Sequence, residues 1–286
     1  MRVLVIGATG YIGAAVVERL AAGGHEVTAY VRPAADGARR VPAAAGERYG
    51  DLSDPATLRA ALESGDGFDA VVHAGQLTGD RETDLAVAGV PAAAGVRMVY
   101  LSGVWVLGAV DGGDEDSPAR PIPLVAYRDE VERVVLGGGG SVVRPGVVHG
   151  RGAGILVLLR DLAAERGAGV YVSAGGAAPT WPFVHVDDLA ELVAAVVERG
   201  RAVVYHGVGE EAVPLTDVAE AAARAAGVKE AAEPWPVEEA AQALGTGFAE
   251  ALALGQRVGA PRTRRELGWA PSRPGVVAEL IEGSYA

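Results

Sequence analysis

Short runs of β-branched and aliphatic residues alternate with alanine-rich stretches of helical period through the first half of the chain. This alternation is the pattern of a parallel sheet with crossover helices. It predicts strands over Arg2–Ile6, Glu26–Val31, Ala70–His73, Arg97–Ser102 and Ser141–Arg144. The helical period predicts helices over Tyr11–Ala22, Pro55–Glu63, Thr83–Ala94 and Val125–Leu136. Asp54 before Pro55 supplies a helix cap and a proline in the first turn. The glycine run Gly137–Gly140 stops the last helix, because polyglycine continues a helix only at high entropic cost.

After Arg144 the alternation loosens. A helix from about Gly154 to Arg166 and a short strand near Val170–Val172 lead to the segment Trp181–Asp188. Asp187 or Asp188 can cap a helix over Leu189–Glu198, and further helices are expected near Thr216–Ala226, Arg262–Leu267 and Pro274–Ile281. Proline and glycine punctuate this region. The reading is a doubly wound α/β Rossmann sheet with a smaller, mostly helical C-terminal substrate lobe. The nucleotide-binding domain would take residues 1–150 plus about 182–205, and the lobe about 151–181 and 206–286.

Composition narrows the function. With 286 residues the chain is long enough for a sizeable core. It has no cysteine, which excludes disulfides, thiolate metal sites and cysteine nucleophiles and fits a reducing cytoplasm. A formal charge of −12 disfavours nucleic acid or an anionic membrane as a partner, since both need a basic face. No uncharged stretch is long enough to span a bilayer. The five histidines lack paired ligand spacing, so no metal site is expected. The acidic segment Asp111–Asp116 reads as a solvated loop.

The strongest motif is Gly7-Ala8-Thr9-Gly10-Tyr11-Ile12-Gly13, placed between the first strand and the first helix. Gly7 allows a tight turn, Gly10 lets backbone amides approach a diphosphate, and Gly13 permits close helix–sheet packing. Cofactor choice is written at the end of the second strand. An acid there binds the ribose 2′-hydroxyl of NAD, whereas an arginine binds the 2′-phosphate of NADP. The strand ends Tyr30-Val31-Arg32-Pro33, with no acid and with Arg32 in reach. NADP is therefore expected, with NAD as the alternative and a solvated surface position as the bland reading of Arg32.

Six segments in order carry a family resemblance: Gly7–Gly13, Asp51–Asp54, Val71–Gly75, Tyr100–Gly108, Arg144–Gly150 and Phe183–Leu189. Over nearly its whole length the chain resembles the extended short-chain dehydrogenase/reductases of the NAD-dependent epimerase/dehydratase type. The resemblance implies that Asp51 and Leu52 flank the adenine, that Ala74 and Gly75 pass over the diphosphate and ribose, and that Pro145 to Val148 line the nicotinamide. It also implies a small-molecule substrate and a possible homodimer through sheet-flanking helices.

Catalysis departs from the pattern. Such proteins carry a serine or threonine, and a tyrosine followed four residues later by lysine, which lowers the phenol pKa. The sole lysine here is Lys229. The usual hydroxyl position falls on Gly103, one residue after Ser102, and the residue four after Tyr127 is Val131. A second register puts Arg128 at the lysine position and Leu124 at the tyrosine position. Tyr127, Ser102 and His149 are the candidate proton donors, with Trp105 and His73 as further cleft residues. The functional expectation is an NADP(H)-dependent oxidoreductase or epimerase-like enzyme on a small carbonyl or alcohol. A non-catalytic NADP sensor and a non-redox isomerase or lyase are the alternatives.

Overall fold

A computed structural model describes residues 1–33, 41–65 and 67–286. In chain order the strands are β1 (Arg2–Ile6), β2 (Glu26–Val31), β3 (Gly46–Tyr49), β4 (Ala70–His73), β5 (Arg97–Leu101), β6 (Val110–Gly113), β7 (Ser141–Pro145), β8 (Val147–His149), β9 (Ala168–Ser173), β10 (Thr180–His185), β11 (Val204–Gly207), β12 (Glu210–Pro214), β13 (Lys229–Pro236) and β14 (Gln256–Val258). The α-helices are α1 (Tyr11–Ala22), α2 (Pro55–Glu63), α3 (Arg81–Ala93), α4 (Arg128–Gly137), α5 (Ile155–Arg166), α6 (Val186–Arg199), α7 (Leu215–Ala225), α8 (Val237–Leu244), α9 (Thr246–Leu252), α10 (Pro261–Leu267) and α11 (Val276–Glu282).

Seven strands form one sheet in the order β11-β7-β5-β4-β1-β2-β3. β1 runs parallel to both β2 and β4, and the neighbouring pairs β2–β3, β4–β5 and β5–β7 are parallel too. The chain builds to one side of β1 through β3 and then to the other from β4. That reversal makes a topological switch point at the carboxyl ends of β1 and β4, where Ile6 faces His73 in register. Val3 to Ile6 and Ala70 to Val72 are almost fully buried, as strands covered on both faces must be. Leu4, Ile6 and Val71 pack on Leu58 and Leu62 of α2 and Val87 and Val90 of α3, while Tyr100 and Val142 pack on Val131 and Val135 of α4.

The chain divides into two compact units. The first is Met1–Ser102, Tyr127–Arg144 and Leu189–Tyr205; the second is Gly103–Ala126, Pro145–Asp188 and His206–Ala286. This corrects the expected boundaries, because 103–126, 145–150 and 182–188 all cluster with the second unit. The reason is strand exchange: β6 pairs with β14, and β10 pairs with β8 and β12. The core of the second unit gathers around Trp181 and Phe183 of β10, Leu156 and Leu159 of α5, and Leu215 and Val218 of α7. No helix among the described residues is long and apolar enough to cross a membrane.

Three local expectations need correction. α4 starts at Arg128 rather than Val125, because Pro123–Val125 forms a separate 3-10 turn and Tyr127 takes the N-cap position. α6 starts at Val186, so Asp187 and Asp188 lie in its first turn rather than capping it. Asp187 pairs with Arg151 at 2.6 Å, and Asp188 accepts the backbone N–H groups of Ser272 and Arg273 at 3.1 Å each. The acidic segment is solvated at Asp111 and Asp116, which are exposed, but not at Glu115. Glu115 is buried and accepts from the backbone N–H and hydroxyl of Thr263, while Asp111 pairs with Arg257 and Asp116 with Arg262.

Candidate functional site

The switch point places the glycine motif. The chain leaves β1 at Gly7 with φ +80°, a left-handed conformation that favours glycine. A Cβ on Gly7 would stand 2.5 Å from the Gly75 nitrogen, and one on Gly13 would stand 2.0 Å from the Gly7 carbonyl oxygen. Both positions therefore exclude any side chain. Gly10 is the N-cap of α1; no side chain caps this terminus, and no acid lies in its first turn. Such an end presents backbone donors and the positive pole of the helix to an anion.

A cleft of about 550 Å³ opens there. Gly7, Thr9, Gly10, Tyr11, Ile12, Arg32, Asp51, Leu52, Ala74 and Gly75 all line it, so the structure brings together these ten residues from four separate stretches of sequence. Gly13 lies beneath, against Gly7. Ile6, Tyr30, Val31, Gln76, Leu77 and Thr78 complete the lining. Asp51 Oδ1 accepts the Ser53 N–H at 2.9 Å; that bond, and to a smaller extent the charge of Arg32, hold its carboxyl below the usual range. The cleft thus carries an ionised acid and an arginine at one end and a glycine cradle at the other, a donor set that fits a dinucleotide.

His73 is buried beside the cradle, and its Nδ1 accepts the Gly75 N–H at 3.3 Å. Burial pushes its pKa down from 6.5 to about 4. His149, in the second unit, is 1 % exposed and is likewise pushed to about 4, chiefly by burial and then by the charge of His185. Both imidazoles are neutral when folded and protonate readily when unfolded. Unfolding therefore takes up protons between the folded and unfolded pKa values. Stability should be full above pH 6.5 and fall as pH drops towards about 4. Urea midpoints across that window should decline, and His73→Asn and His149→Asn should each flatten the decline.

The proton-donor candidates do not assemble as a relay. The Tyr127 hydroxyl donates to Asp84 Oδ2 at 2.7 Å, and burial together with that bond pushes its pKa up to about 12. Asp84 is itself buried and also accepts from the backbone N–H and hydroxyl of Thr78, at 2.9 Å each, and from the Gly79 N–H. A phenol so held keeps its proton. Ser102 is 6 % exposed, and its hydroxyl has no partner among the described residues. Arg128 Nη1 donates to the Ser102 carbonyl at 3.1 Å, which sets the guanidinium at the carboxyl end of β5. Of the two registers weighed from sequence, this favours the one that puts Arg128 where the lysine is usual.

Asp84 was missed from sequence, although a signal was present. It stands three, four and seven residues before Val87, Ala88 and Pro91, all buried, so it is an acid on the apolar stripe of α3.

Candidates in the second unit are placed as follows. Pro145 is buried and Val148 is half-buried in β8. His149 meets Phe183 and His185 edge-on, with its Nε2 4.0 Å from Glu210 Oε2 and its Nδ1 without a partner among the described residues. Trp181 is a core residue whose Nε1 donates to the Leu254 carbonyl. Trp105 is half-buried after β5.

A doubly wound sheet with a glycine cradle at its switch point defines a dinucleotide-binding α/β protein. The model of the NAD dependent epimerase/dehydratase family matches residues 3–207, and the chain belongs to that family. It is 31 % identical to the protein YLL056C of Saccharomyces cerevisiae, over 100 % of this chain and 99 % of that one. It is 30 % identical to a 3-diazoavenalumate denitrifying reductase of a Streptomyces species, over 96 % of this chain and 97 % of the relative. The human epimerase family protein SDR39U1, solved with NADPH, superposes with a TM-score of 0.72 at 25 % identity, covering 99 % of each chain.

Proposed function

We propose that this chain binds NADP(H) in the glycine-lined cleft and acts as an oxidoreductase on a small carbonyl or alcohol substrate. The observation that carries this reading is the cradle at Gly7 and Gly13, where backbone packs so tightly that side chains are excluded. In this reading the amides around Gly7 to Ile12 and the amino end of α1 hold the diphosphate. Asp51 and Leu52 border the adenine, and Ala74 and Gly75 the adjoining ribose. When bound, the cofactor supplies or accepts a hydride; the protein orients it and excludes water. The reductase name of the Streptomyces relative and the NADPH in the human structure support the reading.

Arg32 is the proposed discriminator. It is an exposed guanidinium at the rim of the cleft, positioned to form charge-assisted bonds with a 2′-phosphate. Loss of such bonds typically costs about 1.5–3 kcal/mol, or roughly 10- to 150-fold in affinity. Calorimetric titration should find NADPH bound more tightly than NADH, and Arg32→Ala should erase the difference by weakening NADPH alone. Equal affinities in the unaltered protein would reject NADP(H) as the preferred cofactor.

A further inference from the structure

We propose that the Arg128 guanidinium and the Ser102 hydroxyl form an oxyanion-binding pair that selects conjugated carbonyl substrates, enones and quinonoid compounds, over isolated ketones or alcohols. This deepens the reading above and rests on it for the source of hydride.

The first support is what the site cannot do. The Tyr127 hydroxyl spends its hydrogen bond on Asp84, whose carboxylate is already shared with Thr78 and Gly79. Gly103 has no hydroxyl, and the residue four after Tyr127 is Val131 rather than a lysine. An isolated ketone becomes an alkoxide on reduction and needs a proton delivered in the same step.

The second support is what stands there instead. Arg128 Nη1 is fixed by the Ser102 carbonyl, yet its Nε is buried without a partner among the described residues. The hydroxyls of Ser102 and Tyr100 are in the same state, and these residues are 6 % and 1 % exposed. A buried donor without an acceptor is costly, so the Arg128 Nε and the two hydroxyls call for an acceptor that completes them. The nearby acids do not fill that role. Glu132 is bound by Arg144, and Asp84 is occupied as described.

A guanidinium is permanently charged and does not surrender its proton, so it stabilises negative charge without transferring anything. That chemistry suits a conjugated acceptor. Hydride from the reduced nicotinamide dinucleotide forms a C–H bond at the β-carbon. The alkene π pair would shift towards the carbonyl, whose oxygen would become an enolate, or with a quinone methide a phenolate, held by Arg128. The α-carbon of an enolate, or the oxygen of a phenolate, then takes its proton from water, and the dinucleotide leaves oxidised.

The test needs no cofactor. 4-Nitrophenol is titrated into the dinucleotide-free protein at a pH where it is mostly un-ionised in buffer, and phenolate absorbance is followed. Bound phenol should ionise, its acidity rising roughly 10-fold or more, as expected for a charge-assisted bond. Arg128→Met should abolish the ionisation, and Arg128→Lys should retain part of it. No binding by the native protein, or equal ionisation by a Met variant with native circular dichroism, overturns the proposal. A second arm compares NADPH oxidation with an enone and with its saturated ketone; equal rates or a preference for the ketone would also overturn it. Failure of NADPH to bind would instead sink the cofactor reading while leaving the nitrophenol result standing.

Discussion

Replacing Gly7 with alanine should weaken NADPH binding by at least about 100-fold, equivalent to about 2.7 kcal/mol, and also lower the folding midpoint. The added Cβ would stand 2.5–2.8 Å from backbone atoms of Ala74 and Gly75, and φ of +80° is unfavourable for alanine. Relief requires the loop after β4 to move away from the loop after β1, which opens the cradle. Gly75→Ala separates the two effects. Its Cβ would meet only side-chain atoms of His73 and Ile6 at 3.5 Å and the Gly7 Cα at 3.6 Å, ordinary contacts that the fold tolerates. It should therefore melt near the native protein yet bind the dinucleotide less tightly. Paired thermal melts and calorimetry would check both variants; native-like NADPH affinity in Gly7→Ala would refute the assignment of the cradle.

The largest effect on stability alone should come from Glu132→Leu. Arg144 Nε and Nη2 grip Glu132 in a forked pair at 2.6–3.2 Å, with side chains only 6 % and 3 % exposed. Removing one partner leaves an uncompensated buried charge, which typically costs about 3–5 kcal/mol. Replacing both, as Glu132→Leu with Arg144→Met, should recover most of that loss, because desolvating the pair offsets much of its attraction. Urea denaturation of the three proteins measures this directly. A single variant as stable as the native chain would show that the pair is solvated in practice.

The sheet and its ligand end were legible because their signals are local. β1, β2 and β4 match the expected ranges, and β5 and β7 differ by one residue at their carboxyl ends. The glycines announce close backbone approach before any contact is known. β3 escaped notice because Gly46-Glu47-Arg48-Tyr49 has no apolar alternation; its place is set by pairing with β2. The boundary between the units was misplaced for a related reason. Strands of three or four residues, such as β6 and β8, belong where their partners lie, and partners are not written in a strand's own sequence.

The site divides in the same way. Glycine turns and short segments at strand ends leave a motif, and ten of the residues predicted from them line one cleft. Side-chain chemistry was harder to read. Tyr127 had the right type and approximate place, but its role turns on Asp84, 43 residues earlier on a different helix. His149 had useful chemistry but lies under strands that bury it. Arg128 was visible only as one of two registers until its bond to the Ser102 carbonyl favoured one of them.

The most direct test of the whole account is a calorimetric titration of the unaltered protein with NADPH. Saturable 1:1 binding, lost in Gly7→Ala, is the predicted outcome. No binding heat at millimolar nucleotide across several temperatures would contradict it, since the cradle at the switch point would then hold no diphosphate at all.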